Sequence, residues 1–175
     1  MQSLQTYLED EYVQLEPLKA SDFEALYQVA SDPLIWEQHP NKNRYQLEPF
    51  KKYFEGALLS KGAFIVRDAK TKTLIGCTRF CDYDESTKTL FIGYTFLART
   101  HWGTPCNRSM KRLMIKYAFG FVDKILFHIG AENLRSQKAI SKLGIKKIGE
   151  EMVAYYGEAD KLNFVYCLEK GEELE

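Results

Sequence analysis

The sequence has no excess of charge of either sign, since 24 Lys and Arg residues balance 24 Asp and Glu residues among 175. A balanced chain creates no overall field toward nucleic acid or an anionic membrane, and it contains no long basic tract. Its N-terminus has no basic stretch followed by an apolar run, and no apolar run is long enough to span a bilayer. We therefore expect a cytoplasmic protein that binds neither nucleic acid nor a membrane.

Cysteine is also scarce, with only four residues in the chain. The only close pair is spaced C-x-x-x-C, at Cys77 and Cys81, in a segment typical of a strand. Zinc sites favour tighter pairs with His or Cys partners at a matching distance. The remaining two, Cys106 and Cys167, are isolated from each other. We therefore expect four buried thiols and no metal site.

Apolar and aromatic residues, in contrast, are plentiful, at 45% and 14% of the chain. A length of 175 residues fits one domain well and can bury a substantial core. We expect a single domain over residues 1–175, with its core between about residues 12 and 169. The acidic C-terminal tail, CLEKGEELE, is expected to fray.

Hydrophobic periodicity predicts alternating strands and helices. Ser21 is expected to cap the first helix, with Glu24 completing a capping box, and Asp32-Pro33 to end it. The predicted strands are 12–18, 63–67, 74–82, 89–97, 125–129, 148–155 and 162–168, and the later helices are 48–60, 105–121 and 134–143, the last ending at Gly144. This order predicts an α/β fold, with a mixed, mostly antiparallel sheet and helices on both faces.

The stretch THWGTPCNRSM lies between a predicted strand and a predicted helix. Thr104 is a good N-cap, and Pro105 fits the first helical position because no backbone N–H is needed there. The next amides would be free at the positive end of the helix dipole, where an anion binds well. These amides belong to Cys106, Asn107 and Arg108.

The same loop offers further features that suit an anion. Gly103 allows a ligand to approach the backbone closely, and cationic side chains follow within a turn at Arg108, Lys111 and Arg112. The alternative is an ordinary helix start with a solvated basic face. The loop alone is equally compatible with both interpretations, because short glycine signals are weak.

A second segment, IGAENLRSQKAISKLGIKKIG, places Asn133 at a strand end with Ser136 and Gln137 in the next helix. With the first loop, this arrangement resembles the GNAT superfamily of acyl-CoA-dependent N-acetyltransferases. It is most similar to the RimJ/RimL branch, which acetylates protein N-terminal amines and related amines. The resemblance covers nearly the whole chain and is carried by IGYTFLARTHWGTPCNRSMKRLM, HIGAENLRSQKAISKLGIKKIGE and LEPLKASDFEALYQVASDPLIWEQHP.

The resemblance implies acetyl-CoA as the co-substrate. In the family, the strand before the loop splays from its neighbour and the pantetheine arm pairs with its backbone, while the pyrophosphate lies on a loop written Arg/Gln-x-x-Gly-x-Gly/Ala. Here Trp102, Pro105 and Asn107 stand at the defining positions, and the proline removes one amide donor. The implied cofactor-binding residues are Phe96, Leu97, Trp102, Gly103, Thr104, Cys106, Asn107, Arg108, Asn133 and Ser136.

The resemblance also implies direct attack of a primary amine on the thioester in a ternary complex. Many family members use a tyrosine as the acid for the leaving thiolate, and Ile140 stands at that position here. The RimJ/RimL branch offers a serine instead, which Ser136 matches, while Asn133 would orient the cofactor or a water. The alternative for Ser136 is a helix-start hydroxyl that bonds to the backbone.

The acceptor side is implied by Trp36, His39 and Arg44, in the loop between the first two long helices. Asp82 follows a predicted strand near the expected acceptor entry, where it would suit a cationic amine, and Tyr94 lies on the next strand. A packed tryptophan, a solvated acidic turn and a core tyrosine are the alternatives. The acceptor is left open among a protein N-terminus, a polyamine, an amino acid and an antibiotic amine, as is a homodimer.

A second class of function is compatible with the same residues. Because Pro105 removes an amide and Ile140 replaces the tyrosine, the chain is also compatible with a non-catalytic acyl-CoA-binding or interaction module of the same fold. CoA binding without turnover of amines would favour this alternative.

Overall fold

The computed structural model describes residues 4–174, so residues 1–3 and 175 of the expected domain lie outside the described part. The strands are β1 (Leu8–Glu9), β2 (Val13–Pro17), β3 (Ala63–Asp68), β4 (Leu74–Asp84), β5 (Thr89–Leu97), β6 (Lys124–Gly130), β7 (Lys146–Val153) and β8 (Lys161–Glu169). The helices are α1 (Phe23–Ala30), α2 (Pro33–Trp36), α3 (Leu47–Ser60), α4 (Cys106–Ala118) and α5 (Leu134–Ser141), with 3-10 turns at Ala20–Asp22 and Arg99–His101.

The eight strands form one sheet in the order β1-β2-β3-β4-β5-β6-β8-β7. All neighbours pair antiparallel except β5 and β6, which are parallel because α4 carries the chain across. Their pairing covers only Thr89 to Phe91 against Lys124 to Leu126. Beyond these pairs the two strands part, so the sheet opens into a cleft at the C-terminal end of β5.

Helices cover both faces of the sheet. On one face α4 and α5 pack through residues such as Met110, Met114 and Ile140 against β2, β5 and β6. On the other face α1, α2 and α3 pack through Leu26 and Phe50, among others, against β3 and β5. The predicted α/β class, with a mixed and mostly antiparallel sheet between helices, is confirmed.

The N-terminal third departs from the expected elements. Ser21 does not cap the first helix, because a 3-10 turn precedes α1 and the Asp22 carboxylate accepts from the Lys19 N–H at 2.8 Å. Asp32-Pro33 ends α1 but also starts the short α2, since the Asp32 carboxylate accepts from the Leu34 N–H at 3.0 Å. The two-residue β1 was not predicted, because it is too short for a periodic pattern.

A bulge in β5 shapes the cleft. Cys77 lies opposite Phe96, whereas Arg79 lies opposite Gly93, so β5 contains one residue more than β4 in this interval. The extra residue is accommodated at Tyr94, whose φ is 52°. A bulge of this kind breaks the alternation of side chains between the two faces. The side chain of Tyr94 therefore faces α3, and that of Thr95 faces α4.

Candidate functional site

The cleft between β5 and β6 holds a cavity of about 230 Å³. The predicted site residues that line it are Trp36, His39, Arg44, Tyr94, Phe96, Leu97, Trp102, Gly103, Asn107, Asn133 and Ser136. The predicted residues outside its lining are Asp82, Thr104, Cys106 and Arg108.

The loop after β5 is anchored by Trp102. Its indole N–H donates to the Leu97 carbonyl at 3.0 Å, and the Arg135 guanidinium lies 3.7 Å from the centre of its ring. The tryptophan therefore ties the end of β5 to the start of α5, on opposite walls of the cleft. The sequence analysis predicted that Trp102 contacts the cofactor. It did not indicate this structural role.

Gly103 has a left-handed backbone, with φ at 73°. A Cβ added there would meet no other atom within 4 Å, so the space in front of the glycine is open. The next residue, Thr104, donates its hydroxyl to the His101 carbonyl at 2.7 Å and accepts from the Cys106 N–H at 3.4 Å. These bonds hold the loop in a shape that a ligand can approach at Gly103.

The first turn of α4 differs from the expected anion site in two residues. The Cys106 amide, predicted to be free, is engaged by Thr104, and its thiol side packs into the core. Arg108 is exposed and lies outside the cavity lining. Asn107 lines the cavity as predicted, and Pro105 has helical dihedrals, at φ −64° and ψ −15°. The helix thus begins where the sequence indicates, with fewer available donors.

Lys111 faces inward, so the solvated basic face that the sequence analysis gave as the alternative to an anion site does not include it. The side chain is 7% exposed and its ammonium donates to the Thr95 hydroxyl at 2.7 Å. Burial lowers the pKa of Lys111 from its ordinary value to about 7. A lysine in this state contributes a large desolvation cost to the folded protein and is half neutral near pH 7.

The start of α5 places Asn133 and Ser136 together. Asn133 follows β6 and caps α5, since its carboxamide oxygen accepts from the Ser136 N–H at 3.2 Å. The Ser136 hydroxyl lines the cavity and forms no hydrogen bond with any residue of the range 4–174. The backbone-bonded alternative for this hydroxyl is therefore not seen. Ile140 also lines the cavity and is 4% exposed.

Arg44 lines the cavity and is 1% exposed. Its guanidinium forms a bidentate ion pair with Glu158, with Nε–Oε1 at 2.8 Å and Nη2–Oε2 at 2.6 Å. The four rings around it have centres 5.0 to 5.8 Å from the guanidinium carbon, and they belong to Trp36, Tyr53, Tyr94 and Tyr155. The sequence analysis missed Glu158 and Tyr155, which lie in the β7–β8 connection and carry no motif.

Trp36 and His39 do cluster with Arg44, as expected. The Trp36 indole donates to the Ala30 carbonyl at 2.8 Å, so the ring is packed in the core while its edge borders the cavity. His39 accepts from the Asn41 N–H at 2.9 Å through Nδ1. Burial, and after it the nearby Arg44 charge, lower the pKa of His39 well below its ordinary value. This histidine is therefore neutral at physiological pH.

Tyr94 lines the cavity with its ring against another buried cation. The Arg79 guanidinium lies 3.8 Å from the ring centre and is 3% exposed. Its Nη2 donates to the Tyr53 carbonyl at 3.2 Å, and its Nε has no hydrogen-bond partner within residues 4–174. Burial raises the pKa of Tyr94 to about 12, so its phenol stays protonated near neutral pH.

Asp82 lies outside the cavity lining. It lies inside β4, which extends to Asp84, and it is exposed with a φ of 51° at an irregular position of the strand. No Asp or Glu lines the cavity among the described residues. The acidic entry for a cationic acceptor stays a prediction from the sequence.

The cysteines and the surface supply no further site. All four thiols are free, but only Cys77 and Cys106 are buried, and the other two are partly exposed. Over residues 4–174, no group of three His, Cys, Asp or Glu side chains could hold a metal ion. No helix in that range is long and apolar enough to cross a bilayer.

We predict that Lys111→Met stabilises the protein in a pH-dependent manner. With a folded pKa of about 7 against 10.5 in the unfolded chain, the unfolded state binds more protons between these values. The cost of the lysine is thus fully present below pH 7 and is lost as the pH approaches 10.5. Urea unfolding should show a gain on the order of 4 kcal/mol at pH 6 that shrinks toward pH 10.

Lys116→Met provides the matched control for this experiment, because Lys116 is exposed on the same helix. Its effect should stay within about 0.5 kcal/mol at both pH values. A Lys111→Met gain that is equal at pH 6 and pH 10 would contradict the assigned protonation of Lys111.

The family model for the acetyltransferase (GNAT) domain matches residues 13–146. A GCN5-related N-acetyltransferase from Brucella melitensis has a TM-score of 0.76 at 19% identity, covering 94% of this chain and 79% of that chain. RimJ from Mycobacterium smegmatis, in complex with CoA-disulfide, has a TM-score of 0.71 at 14% identity, with coverages of 94% and 86%.

The microcin C7 self-immunity acetyltransferase MccE, in complex with acetyl-CoA and AMP, has a TM-score of 0.74 at 13% identity, covering 92% of this chain and 94% of that chain. At such identities the solved structures establish the fold alone. No curated protein matches the sequence. Since the family model covers well over half of the chain and the splayed β5–β6 cleft is present, the protein belongs to the GNAT acetyltransferase family.

Proposed function

We propose that the protein is an acetyl-CoA-dependent N-acetyltransferase that moves an acetyl group to a primary amine by direct attack in a ternary complex. The observation that carries this proposal is the cleft between β5 and β6, which leads from the Gly103 loop to the buried cavity. A cofactor arm can enter such a cleft from the loop side, while the amine approaches from the side of Arg44 and Tyr155. We also propose that the protein belongs to the RimJ/RimL branch of the family.

The chain supplies suitable groups for the CoA portion. The open space at Gly103 and the start of α4 suit a pyrophosphate, since free amides there face an anion. Asn107 offers a carboxamide that compensates for the amide absent from Pro105. The pantetheine arm would run along Phe96 and Leu97, where β5 has no strand on its β6 side. When bound, acetyl-CoA supplies the activated thioester.

The chemistry requires a neutral amine and a route for the departing thiolate. No carboxylate of residues 4–174 lines the cavity, and His39 is a weak base because its pKa is lowered. The amine is therefore proposed to lose its proton to solvent before attack. Ser136, with a hydroxyl that no described residue engages, is proposed to protonate the thiolate or to hold the water that does so.

Charge around the cavity favours one group of acceptors. The cationic side chains that line it include Arg44, Lys111 and Arg135, while Arg79 lies behind Tyr94. Within residues 4–174, Arg44 pairs with a carboxylate that is 11% exposed, Arg135 lies 3.9 Å from the more exposed Glu37, and Lys111 and Arg79 form no ion pair. A second positive charge on an acceptor would meet like charges without compensation, which disfavours polyamines. We propose an acceptor amine whose neighbouring groups are neutral or anionic, such as a peptide N-terminus or an amino acid.

A non-catalytic acyl-CoA-binding module is the second candidate. The buried Ile140, where many relatives carry the acid, and the missing amide of Pro105 favour it. A cytoplasmic location, the single domain and a homodimer stay predictions from the sequence.

Thiol release from acetyl-CoA tests the proposed function directly. We expect turnover with a peptide that carries a free N-terminal amine and with free amino acids. The kcat/KM for spermidine should be at least about tenfold lower, because the cavity has no carboxylate to receive it. The same peptide with a blocked N-terminus serves as the control. Binding of CoA without turnover of any amine would support the module, and preference for spermidine would overturn the proposed acceptor class.

Gly103→Ala tests whether the loop receives the cofactor. A Cβ at this position fills the open approach, so the Kd for CoA should rise about tenfold, or about 1.4 kcal/mol. Gly171→Ala is the matched control, since Gly171 also has a positive φ (100°) and open space around it, but lies in the C-terminal turn. Both variants place a Cβ on a backbone with a positive φ. An equal CoA affinity in the two variants, measured by calorimetry, would argue against the loop as the phosphate site.

Ser136→Ala tests the proposed proton route. Loss of a general acid lowers kcat by roughly a hundredfold or more, whereas CoA affinity and melting temperature should stay unchanged because the hydroxyl has no structural partner among residues 4–174. Ser141→Ala, on the exposed side of the same helix, is the control. Wild-type kcat in Ser136→Ala would assign thiolate protonation to water or another residue.

A further inference from the structure

Lys111 lies at the point where the two splayed strands part. The last pair joins Phe91 of β5 to Leu126 of β6, and Phe127 is the next residue on β6. The Lys111 ammonium contacts the Thr95 hydroxyl of β5 at 2.7 Å and lies 5.8 Å from the centre of the Phe127 ring. It therefore lies between the two strands beyond their last pair, and it lines the cavity. A chain-like ligand that fills the cleft would meet this ammonium.

The position of the ammonium depends on the bulge. Thr95 reaches α4 because the extra residue at Tyr94 shifts the alternation of β5. The Thr95 hydroxyl also contacts the Thr78 hydroxyl at 2.8 Å, so the group that orients Lys111 is itself held by β4. Two strands and one helix thus fix the ammonium in place.

No described residue supplies Lys111 with a negative charge. Over residues 4–174 no carboxylate forms an ion pair with it. The titratable group that faces it from β4 is the Cys81 thiol, whose pKa burial raises to about 12, so it is neutral. β5 presents a hydroxyl and β6 the Phe127 ring, while the adjacent His128 points to the other face and pairs with Glu151 at 2.9 Å. An anionic ligand atom would be its first counter-charge.

We propose that the Lys111 ammonium contacts the sulfur of CoA and stabilises the thiolate as it leaves. This inference rests on the proposed acetyl transfer. In that step the bond from the acceptor nitrogen to the acetyl carbon forms as the carbon–sulfur bond breaks, and the electron pair stays on sulfur. The amine proton passes to solvent. Lys111 keeps its own proton and donates a hydrogen bond to the sulfur until the thiolate is protonated by way of Ser136.

The desolvated state of Lys111 suits this role. A lysine whose pKa is about 7 is poised between its two forms at neutral pH, and an adjacent negative charge favours the charged form. By reciprocity, the ammonium must lower the pKa of the thiol that it contacts. The pKa of the bound CoA thiol therefore reports on the contact with Lys111, and it can be measured without knowing the acceptor amine.

The test is a pH titration of CoA bound to the protein, followed through the ultraviolet absorbance of its thiolate. In the wild type the pKa of the bound thiol should be lower than that of free CoA by about one unit or more. In Lys111→Met this lowering should be lost. The kcat of Lys111→Met with saturating acetyl-CoA should fall by roughly a hundredfold, while the Kd for acetyl-CoA, whose sulfur is uncharged, should change by less than about threefold.

Controls separate this inference from the proposed function. Lys116→Met, on the exposed side of α4, should keep both the thiol pKa and the kcat of the wild type. Lys111→Gln provides a second neutral variant that can still bond to Thr95, and it should lose the lowering as Lys111→Met does. If the wild type binds CoA and turns over acetyl-CoA but the variants titrate and react as it does, the role of Lys111 is overturned alone. Failure of the wild type to bind CoA overturns both proposals.

Discussion

An extra residue in β5 is the constraint on which the rest of the site depends. Without it, the alternation that directs Ile92 toward α4 would direct Tyr94 there as well. With it, Tyr94 faces the aromatic group around Arg44, and Thr95 faces Lys111. One local irregularity therefore separates the two halves of the cavity. The side chains around Arg44 lie on one side of the sheet, and Lys111 lies on the other. The strain of a positive φ at a non-glycine residue is localised at this position.

The three buried cations are compensated to different degrees. Arg44 has a bidentate carboxylate partner and four surrounding rings, which offset much of its desolvation. Arg79 has the Tyr94 ring and one carbonyl, with Nε unpaired. Lys111 has one hydroxyl. The uncompensated desolvation cost of these cations thus rises from Arg44 through Arg79 to Lys111. Such a distribution is typical of sites that trade stability for function.

The sequence predicts the scaffold better than the side-chain directions. The strand-to-helix loop at Gly103, the place of Asn133 between a strand and a helix and the left-handed Gly144 follow from local chemistry, and each is present. The sequence analysis grouped Lys111 with Arg108 and Arg112 and left open whether the three contact an anion or solvent, whereas the structure turns Lys111 inward. Ser109 and Met110 are buried beside it, so the inward face of α4 is wider than the apolar pattern indicates. The splay of the strands, which no local pattern encodes, leaves the gap that admits the lysine.

Long-range partners were beyond the reach of sequence patterns. Glu158 and Arg44 are separated by 114 positions, and nothing near either residue specifies the other. Asp82 lies within β4, which runs past the predicted end of the strand to Asp84, and Asp82 is not among the residues that line the cavity. The carboxylate that pairs with Arg44 is Glu158, which lies in the connection between β7 and β8. Functional residues are disproportionately found on such connections.

The position of β8 has a consequence for how the protein is made. β8 lies between β6 and β7 and pairs with β6 along all seven residues from Lys124 to Gly130. During synthesis, β6 leaves the ribosome well before β8, with only the three pairs to β5 to hold it. A nascent chain at that stage exposes a strand edge that a second copy could pair with. The sheet, and with it the pairing of Glu158 with Arg44, therefore cannot be completed until β8 has been synthesised.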